Sequence, residues 1–321
     1  MGHQIESEVI AHTDRSKMKT IFKTLLPITI LVSLCSLTMA CPSSLPDHRS
    51  FLTKLPDSQK LNTLGLIGTH DSATYDIYIL AAQTQLKTIT EQLNGGIRAL
   101  DMRVRRTSNV FAMHHDLIYL GMMFGDIVKQ VRDFLKSNPN ELVIMFMQEE
   151  YTAEGSTMDE CEILENQYIK ENGDLFVQHW SVEDTIGQHR GKILLARAHR
   201  GFWGCTTSLN CEEQNQWKIT FSFTRTDKWN AIAAFQDKIF EENSQRSCYI
   251  NYMSAHGGII GPNSIANKFW KDTRESQGIE GNPGMNYRMT KYFRNPKNTL
   301  YIVMADNPLP QLVDKIVLSN F

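Results

Sequence analysis

Short apolar runs recur along the chain at Leu64–Ile67, Ile97–Val104, Val110–Met113, Leu142–Met147, Lys192–Ala198, Cys248–Met253 and Leu300–Ala305. Each has strand length and is bounded by turn-forming or polar residues, the pattern of buried strands. Between several of them the apolar period lengthens. In "FGDIVKQVRDFLKSNP", Ile127, Val131, Phe134 and Leu135 share one helical face, and the pattern stops at Asn138-Pro139. "DKWNAIAAFQDKIFEEN" does the same with Trp229, Ile232, Ala233 and Phe240, and "LPQLVDKIVLSNF" reads as a last helix. Strands that alternate with helices pair in parallel. No linker rich in Pro, Gly or Ser divides residues 41–321, and no internal repeat is visible. One domain of roughly 280 residues has the size of a TIM-type barrel, so the expected fold is α/β, a single irregular (β/α)8 barrel.

Polar residues fall on this frame in a regular way. His70 and Asp71 follow the first strand, and Asp101 and Arg103 lie in the second. His114 and His115 end the third, Gln148, Glu149 and Glu150 the fourth, Arg197 the fifth, Asn251 and Ser254 the sixth, and Asp306 the last. In a parallel barrel the C-terminal strand ends share one rim, where active sites are built. Any one of these residues has an ordinary explanation as a cap or a solvated side chain. Their recurrence at successive strand ends does not.

The composition is that of a globular protein: 321 residues, 41% hydrophobic and 21% charged, with a formal net charge of −2. No basic field or RNA-binding motif invites nucleic acid. Residues 1–40 are set apart from the fold. Lys17, Lys19 and Lys23 precede an apolar run from Leu25 to Leu37 and the small residue Ala40, the pattern of a signal peptide. The run is short for a membrane span, and an uncleaved anchor is the other reading. The expectation is export to the cell envelope or beyond, where disulfides form. "CTTSLNC" (205–211) suggests a short-loop bridge, leaving Cys161 with Cys248, although spacing does not fix connectivity. No CxxC pair or HExxH motif is present, so neither a metal site nor a cofactor is expected.

Two histidines, an arginine and several carboxylates suit phosphodiester chemistry by general acid–base catalysis. One imidazole removes a proton from an attacking hydroxyl, and the other protonates the leaving oxygen. A guanidinium holds the phosphoryl oxygens in a fork that lysine cannot mimic. "LIGTHDSAT", "TITEQLNGGIRALDMRV" and "MHHD" together resemble the X-domain of phosphatidylinositol-specific phospholipase C, in its small secreted or bacterial-type form. The resemblance is specific from Asn62 to Asp116. It continues more weakly through "SNPNELVIMFMQEEY", "GKILLARA", "YINYMSAHGG" and "YIVMADNP".

The resemblance implies an irregular barrel acting on a membrane phospholipid at the bilayer surface as a monomer. It implies roles for particular residues. His70 matches the general base acting on the inositol 2-hydroxyl, and Asp306 the carboxylate that orients it. His115 matches the general acid, supported by Asp71. Arg103 matches the phosphate-holding arginine, positioned by Asp101, and Arg197 an inositol contact. The implied substrate is phosphatidylinositol or a GPI-type lipid, and the implied products are diacylglycerol and a 1,2-cyclic inositol phosphate. Calcium-dependent members carry Asn after the first His and a carboxylate where Arg103 stands, so the resemblance implies independence of calcium. The sequence departs from the family at Gln148, where bacterial-type enzymes have lysine. It departs again at "WKITFSF" (217–223), which lacks the family's aspartate; Phe221 or Phe223 is left to stack on the ring and Asp227 to bind its hydroxyls. Tyr75, Ile77, Tyr78, Ile79, Leu80, Phe202 and Trp203 are candidates for a lipid-facing rim.

Two other readings compete. "RAHRG" (197–201) resembles the opening motif of metal-dependent glycerophosphodiester phosphodiesterases, but it comes late in the chain. The metal pair would then be Asp101 and Arg103, and arginine cannot ligate a cation. A barrel that binds lipid or glycan without catalysis would need no acid–base pair.

Overall fold

The computed structural model describes residues 47–219, 224–241, 246–257, 260–268 and 283–321. Ten strands form one sheet: β1 Gly65–Thr69, β2 Ala99–Thr107, β3 Val110–His115, β4 Ile118–Met123, β5 Val143–Glu149, β6 Phe176–Val177, β7 Ile193–Arg197, β8 Glu212–Gln214, β9 Cys248–Tyr252 and β10 Leu300–Ala305. Eight of them run parallel in the order β6-β7-β5-β2-β1-β10-β9-β8. The sheet curls into a TIM-type barrel, with no pairing between β6 and β8 among the described residues. β1, β7 and β10 are buried along nearly their whole length, as continuous apolar runs require when both faces are covered.

The expected helices are present at Phe124–Ser137, Thr224–Glu241 and Pro310–Leu318. In the first, Ile127, Val131, Phe134 and Leu135 all face the core. A capping box at Thr88 and Glu91 starts the short helix Ile89–Asn94, which precedes β2. The N-terminal segment is fastened under the barrel by a fully buried ion pair. Arg98 Nη2 lies 2.8 Å from Glu141 Oε2, and Arg98 also donates to the carbonyls of His48 and Arg49. Glu141 accepts from the backbone of Leu52 and Thr53. This clasp lies at the opposite end of the staves from the polar strand ends, where barrel residues serve stability.

The third predicted strand is not a stave. β3 pairs antiparallel with β2, and β4 antiparallel with β3. The cause is the two-residue turn Ser108-Asn109, with φ of 50° and 62°, the left-handed pair that favours a tight hairpin. β3 therefore runs back down the sheet and returns His115 toward the level of Arg103. Alternation then separates the adjacent histidines: His115 turns to the site, while His114 is buried and bonded to the Asp116 carbonyl.

The disulfides join Cys161 to Cys205 and Cys211 to Cys248, not Cys205 to Cys211. Strand register explains the second bridge. β8 pairs in parallel with β9 at Glu212↔Tyr249, so the preceding residues, Cys211 and Cys248, are neighbours, with Cα atoms 4.5 Å apart.

Candidate active site

The site is built where β1 ends. Asp71 adopts φ of 44°, a costly backbone for a residue other than glycine. It is held there from several directions. Its N–H donates to Asp101 Oδ2 at 3.0 Å. Thr84 Oγ1 donates to the carbonyls of His70 and Asp71, and Gln85 Nε2 to that of His70. The strained turn points His70 and Asp71 into different partnerships, which is why the strand ends in two ionisable residues.

His70 lies between Asp306 and Arg103. Its Nδ1 is 2.9 Å from Asp306 Oδ1, and its Nε2 is 2.8 Å from Arg103 Nη2. A guanidinium has donors only, so Nε2 accepts and the ring proton resides on Nδ1, directed at Asp306. His70 is therefore a neutral imidazole whose basic nitrogen faces the cavity. Tyr252 packs edge-on against the ring, with centroids 6.2 Å apart.

His115 is prepared in the opposite sense. Its Nδ1 bonds to Asp71 Oδ2. Burial alone would lower its pKa; the hydrogen bond and charge of Asp71 outweigh burial, and the net shift is upward. Two imidazoles thus face one cavity, one accepting at Nε2 and the other with its pKa raised by a carboxylate partner.

Arg103 stands between them. Asp101 accepts from its Nε at 3.2 Å and its Nη2 at 3.1 Å. Asp71 and Glu150 lie 3.8 and 3.7 Å from Nη1. Burial opposes the charge, but these three carboxylates raise the guanidinium pKa, so the cation is permanent. Burial likewise opposes ionisation of Asp101, and the Arg103 charge with the hydrogen bonds from Arg103 and the Asp71 N–H reverses the effect, leaving its pKa low.

His70, Arg103, His115, Gln148 and Asp306 line a common cavity of about 290 Å³. Asp71 and Asp101 lie behind it and hold its members. Arg197 does not reach it. Its guanidinium lies 3.4 Å from the centre of the Trp203 ring and donates to Ser208 Oγ at 2.8 Å. It lines a neighbouring pocket of about 150 Å³ with Asn210 and Glu213. Asp227, in the first turn of Thr224–Glu241, does not line the cavity, whereas Glu213 on β8 stands beside it: His199, a cavity residue, lies 3.5 Å from Glu213 Oε2. Phe221 and Phe223 fall outside the described residues.

Sequence reading missed His199, His256, Trp217 and Asn215, all on the cavity wall. Trp217 and His256 stack with centroids 5.0 Å apart. Their backbones are joined by His256 N–H donating to the Trp217 carbonyl. The close approach of these segments continues at Gly257, where a Cβ would fall 1.4 Å from the Ile219 carbonyl oxygen. β8 has only three residues, too few to show a period. Of the suggested lipid-facing residues, Ile77 and Phe202 are core, Phe202 packing on Phe111; Tyr78, Ile79, Leu80 and Trp203 are exposed. Glu149 is buried against Arg106, and Asn251 is an interior hydrogen bonder.

Fold and site together define an α/β barrel with two carboxylate-bound histidines around a fixed cation at its C-terminal rim. The PI-PLC X 1 family model matches residues 57–190. The chain is 24% identical over 284 residues to 1-phosphatidylinositol phosphodiesterase of Staphylococcus aureus (strain NCTC 8325 / PS 47), covering 78% of this chain and 85% of that one. It is 31% identical over 158 residues to the protein of the same name from Listeria monocytogenes, covering 46% and 48%. Among solved structures, the phosphatidylinositol-specific phospholipase C of L. monocytogenes superposes with a TM-score of 0.63 at 21% identity, over 86% of this chain and 99% of that one. A double mutant of the S. aureus phosphatidylinositol-specific phospholipase C gives 0.65 at 19% identity, over 84% and 97%. Residues 57–190 thus carry the PI-PLC X-domain, and the relatives and solved structures support that family for the barrel.

Proposed function

We propose that the protein is a phosphatidylinositol-specific phospholipase C that cleaves its lipid without a metal ion. The observation that carries this reading is the tautomer of His70: with its proton turned to Asp306, Nε2 keeps its lone pair toward the cavity, where a substrate hydroxyl replaces Arg103 Nη2 as its donor. His70 accepts the proton of the inositol 2-hydroxyl, and the resulting oxygen attacks the adjacent phosphorus. Arg103 holds the phosphoryl oxygens as charge accumulates on them. The bond to the diacylglycerol oxygen breaks as His115 donates its Nε2 proton to that oxygen. The products are diacylglycerol and a 1,2-cyclic inositol phosphate. Arg103, set among Asp71, Asp101 and Glu150, supplies the positive charge that a bound calcium would otherwise bring.

A metal-dependent glycerophosphodiester phosphodiesterase is the weaker reading, because its metal pair would fall on Asp101 and Arg103, which are bonded to each other. A binding barrel without catalysis is disfavoured by two histidines prepared for opposite proton transfers. Export through residues 1–40, action as a monomer and a domain spanning 41–321 complete the proposal. The lipid-facing element is the segment Tyr78–Leu80, whose tyrosine is 96% and leucine 80% exposed. It adjoins Ala81 on the cavity wall, so its insertion would bring the lipid phosphate to the site.

The test is phosphorus NMR of phosphatidylinositol vesicles treated with the purified protein in EDTA. A cyclic phosphate signal is expected, lost in His70→Ala and in His115→Ala, each slowed about 10²–10⁴-fold. Product that forms only when calcium or magnesium is added would overturn the role given to Arg103.

A further inference from the structure

Behind the catalytic rim lies a cation that the mechanism does not use. Lys228, in the helix Thr224–Glu241, is fully buried, and lysine is almost never so without a carboxylate partner. It forms no ion pair among the described residues. Its Nζ donates to the Tyr252 carbonyl at 2.5 Å and to Gln214 Oε1 at 3.3 Å. Neither acceptor depends on it. The Tyr252 carbonyl also accepts from Gln214 Nε2 at 2.9 Å, and Gln214 Oε1 from the Gln216 N–H at 2.8 Å. An apolar side chain of the same length would leave both oxygens bonded. Hydrogen bonding therefore does not account for a buried ammonium, whose desolvation is costly.

What remains is its charge. Burial lowers the Lys228 pKa to about 7, and the carboxylate of Asp306 works against that fall. Strand register brings the two together. β9 pairs with β10 at Tyr252↔Met304, the Met253 N–H donates to the Met304 carbonyl, and Asp306 follows two residues on. Lys228 thus meets the end of β9 beside the strand end that carries Asp306. Attraction between two charges is mutual, so Lys228 favours the ionised form of Asp306. That carboxylate is buried, and its side chain bonds only His70 among the described residues.

We infer that Lys228 is a positioning residue: its buried charge holds Asp306 as the carboxylate that fixes the His70 proton on Nδ1 and so leaves Nε2 to act as the base. The ammonium stands behind the cavity wall and is not among the residues that line it, so it acts through Asp306 and not on the lipid. This inference rests on the role proposed above for His70.

The test measures kcat and KM of wild type, Lys228→Met and Lys228→Gln on a soluble inositol phosphodiester, in mildly acid buffer where Lys228 is charged. Methionine keeps the length and removes the charge. Glutamine also removes the charge but offers a donor. Each variant is expected to lose about tenfold in kcat, with KM within about twofold. The melting temperature should be unchanged or raised, because burial outweighs Asp306 in the Lys228 pKa and the charge is a net cost to the fold. In an Asp306→Asn background, Lys228→Met should lower kcat no further. Wild-type kcat in either single variant, a loss undiminished in the Asp306→Asn background, or a variant that melts lower or fails to fold would overturn the inference. A wild-type enzyme that cleaves no such ester would overturn the function itself, and this inference with it.

Discussion

At the residue scale, the two histidines are told apart by their neighbours. His70 and His115 each touch a carboxylate through Nδ1, yet only His70 has a guanidinium at Nε2. That one contact distinguishes the two rings, and the proposed assignment of His70 as the base rests on it. It also shows why Asp71 is more than a support. As the source of the upward pKa shift of His115, Asp71 sets the pH at which the acid is lost. The sequence made most of this constellation visible, because His70, Asp71, Arg103, His115 and Asp306 sit in short motifs at strand ends. It did not show His199, His256 or Trp217, which reach the cavity from loops with no period. Nor did it show that Arg197 lies over Trp203 instead of facing His70, since aromatic stacking across a loop leaves no mark on spacing.

At the scale of elements, β6 and β8, of two and three residues, are too short to leave a pattern, whereas six of the eight staves and three helices were legible from apolar runs and the helical period. The hairpin β3–β4 was not. Its turn is Ser-Asn, without the glycine that announces such turns, and β3 in isolation resembles any other apolar run. The pairing of cysteines was hidden for a related reason: a bridge follows register, and register between β8 and β9 is a tertiary fact. Both disulfides fasten the segment from His199 to Glu213 that walls the cavity, one to the helix beginning at Glu160 and one to β9. Replacing Cys161 and Cys205 together by serine should cost about 2–4 kcal/mol and lower the melting temperature by roughly 2–4 °C per kcal/mol. Calorimetry of the oxidised protein checks this, and an unchanged midpoint would show that the bridge restrains nothing.

At the scale of the whole molecule, the barrel divides its labour between its ends. Arg98 and Glu141 close one end with a fully buried pair, and the strand ends at the other carry the chemistry. The apolar residues at that rim make a prediction about surfaces. Tyr78→Ser with Leu80→Ser should weaken binding to phosphatidylinositol vesicles several-fold, since each loses exposed apolar area available to lipid. Cleavage of a soluble inositol phosphodiester should remain within about twofold, because neither side chain lines the cavity. Equal losses in both assays would place the segment in the site's own architecture.

The central claim is that His115 enters the reaction protonated and that Asp71 keeps it so. The most direct measurement is the pH dependence of kcat/KM for wild type and Asp71→Asn on a soluble inositol phosphodiester. A general acid is lost as pH rises through its pKa, and removing the Asp71 charge lowers that pKa. The account predicts that the alkaline limb of the profile moves to lower pH in the variant. An alkaline limb that stays in place, with only a uniform fall in rate, would contradict it.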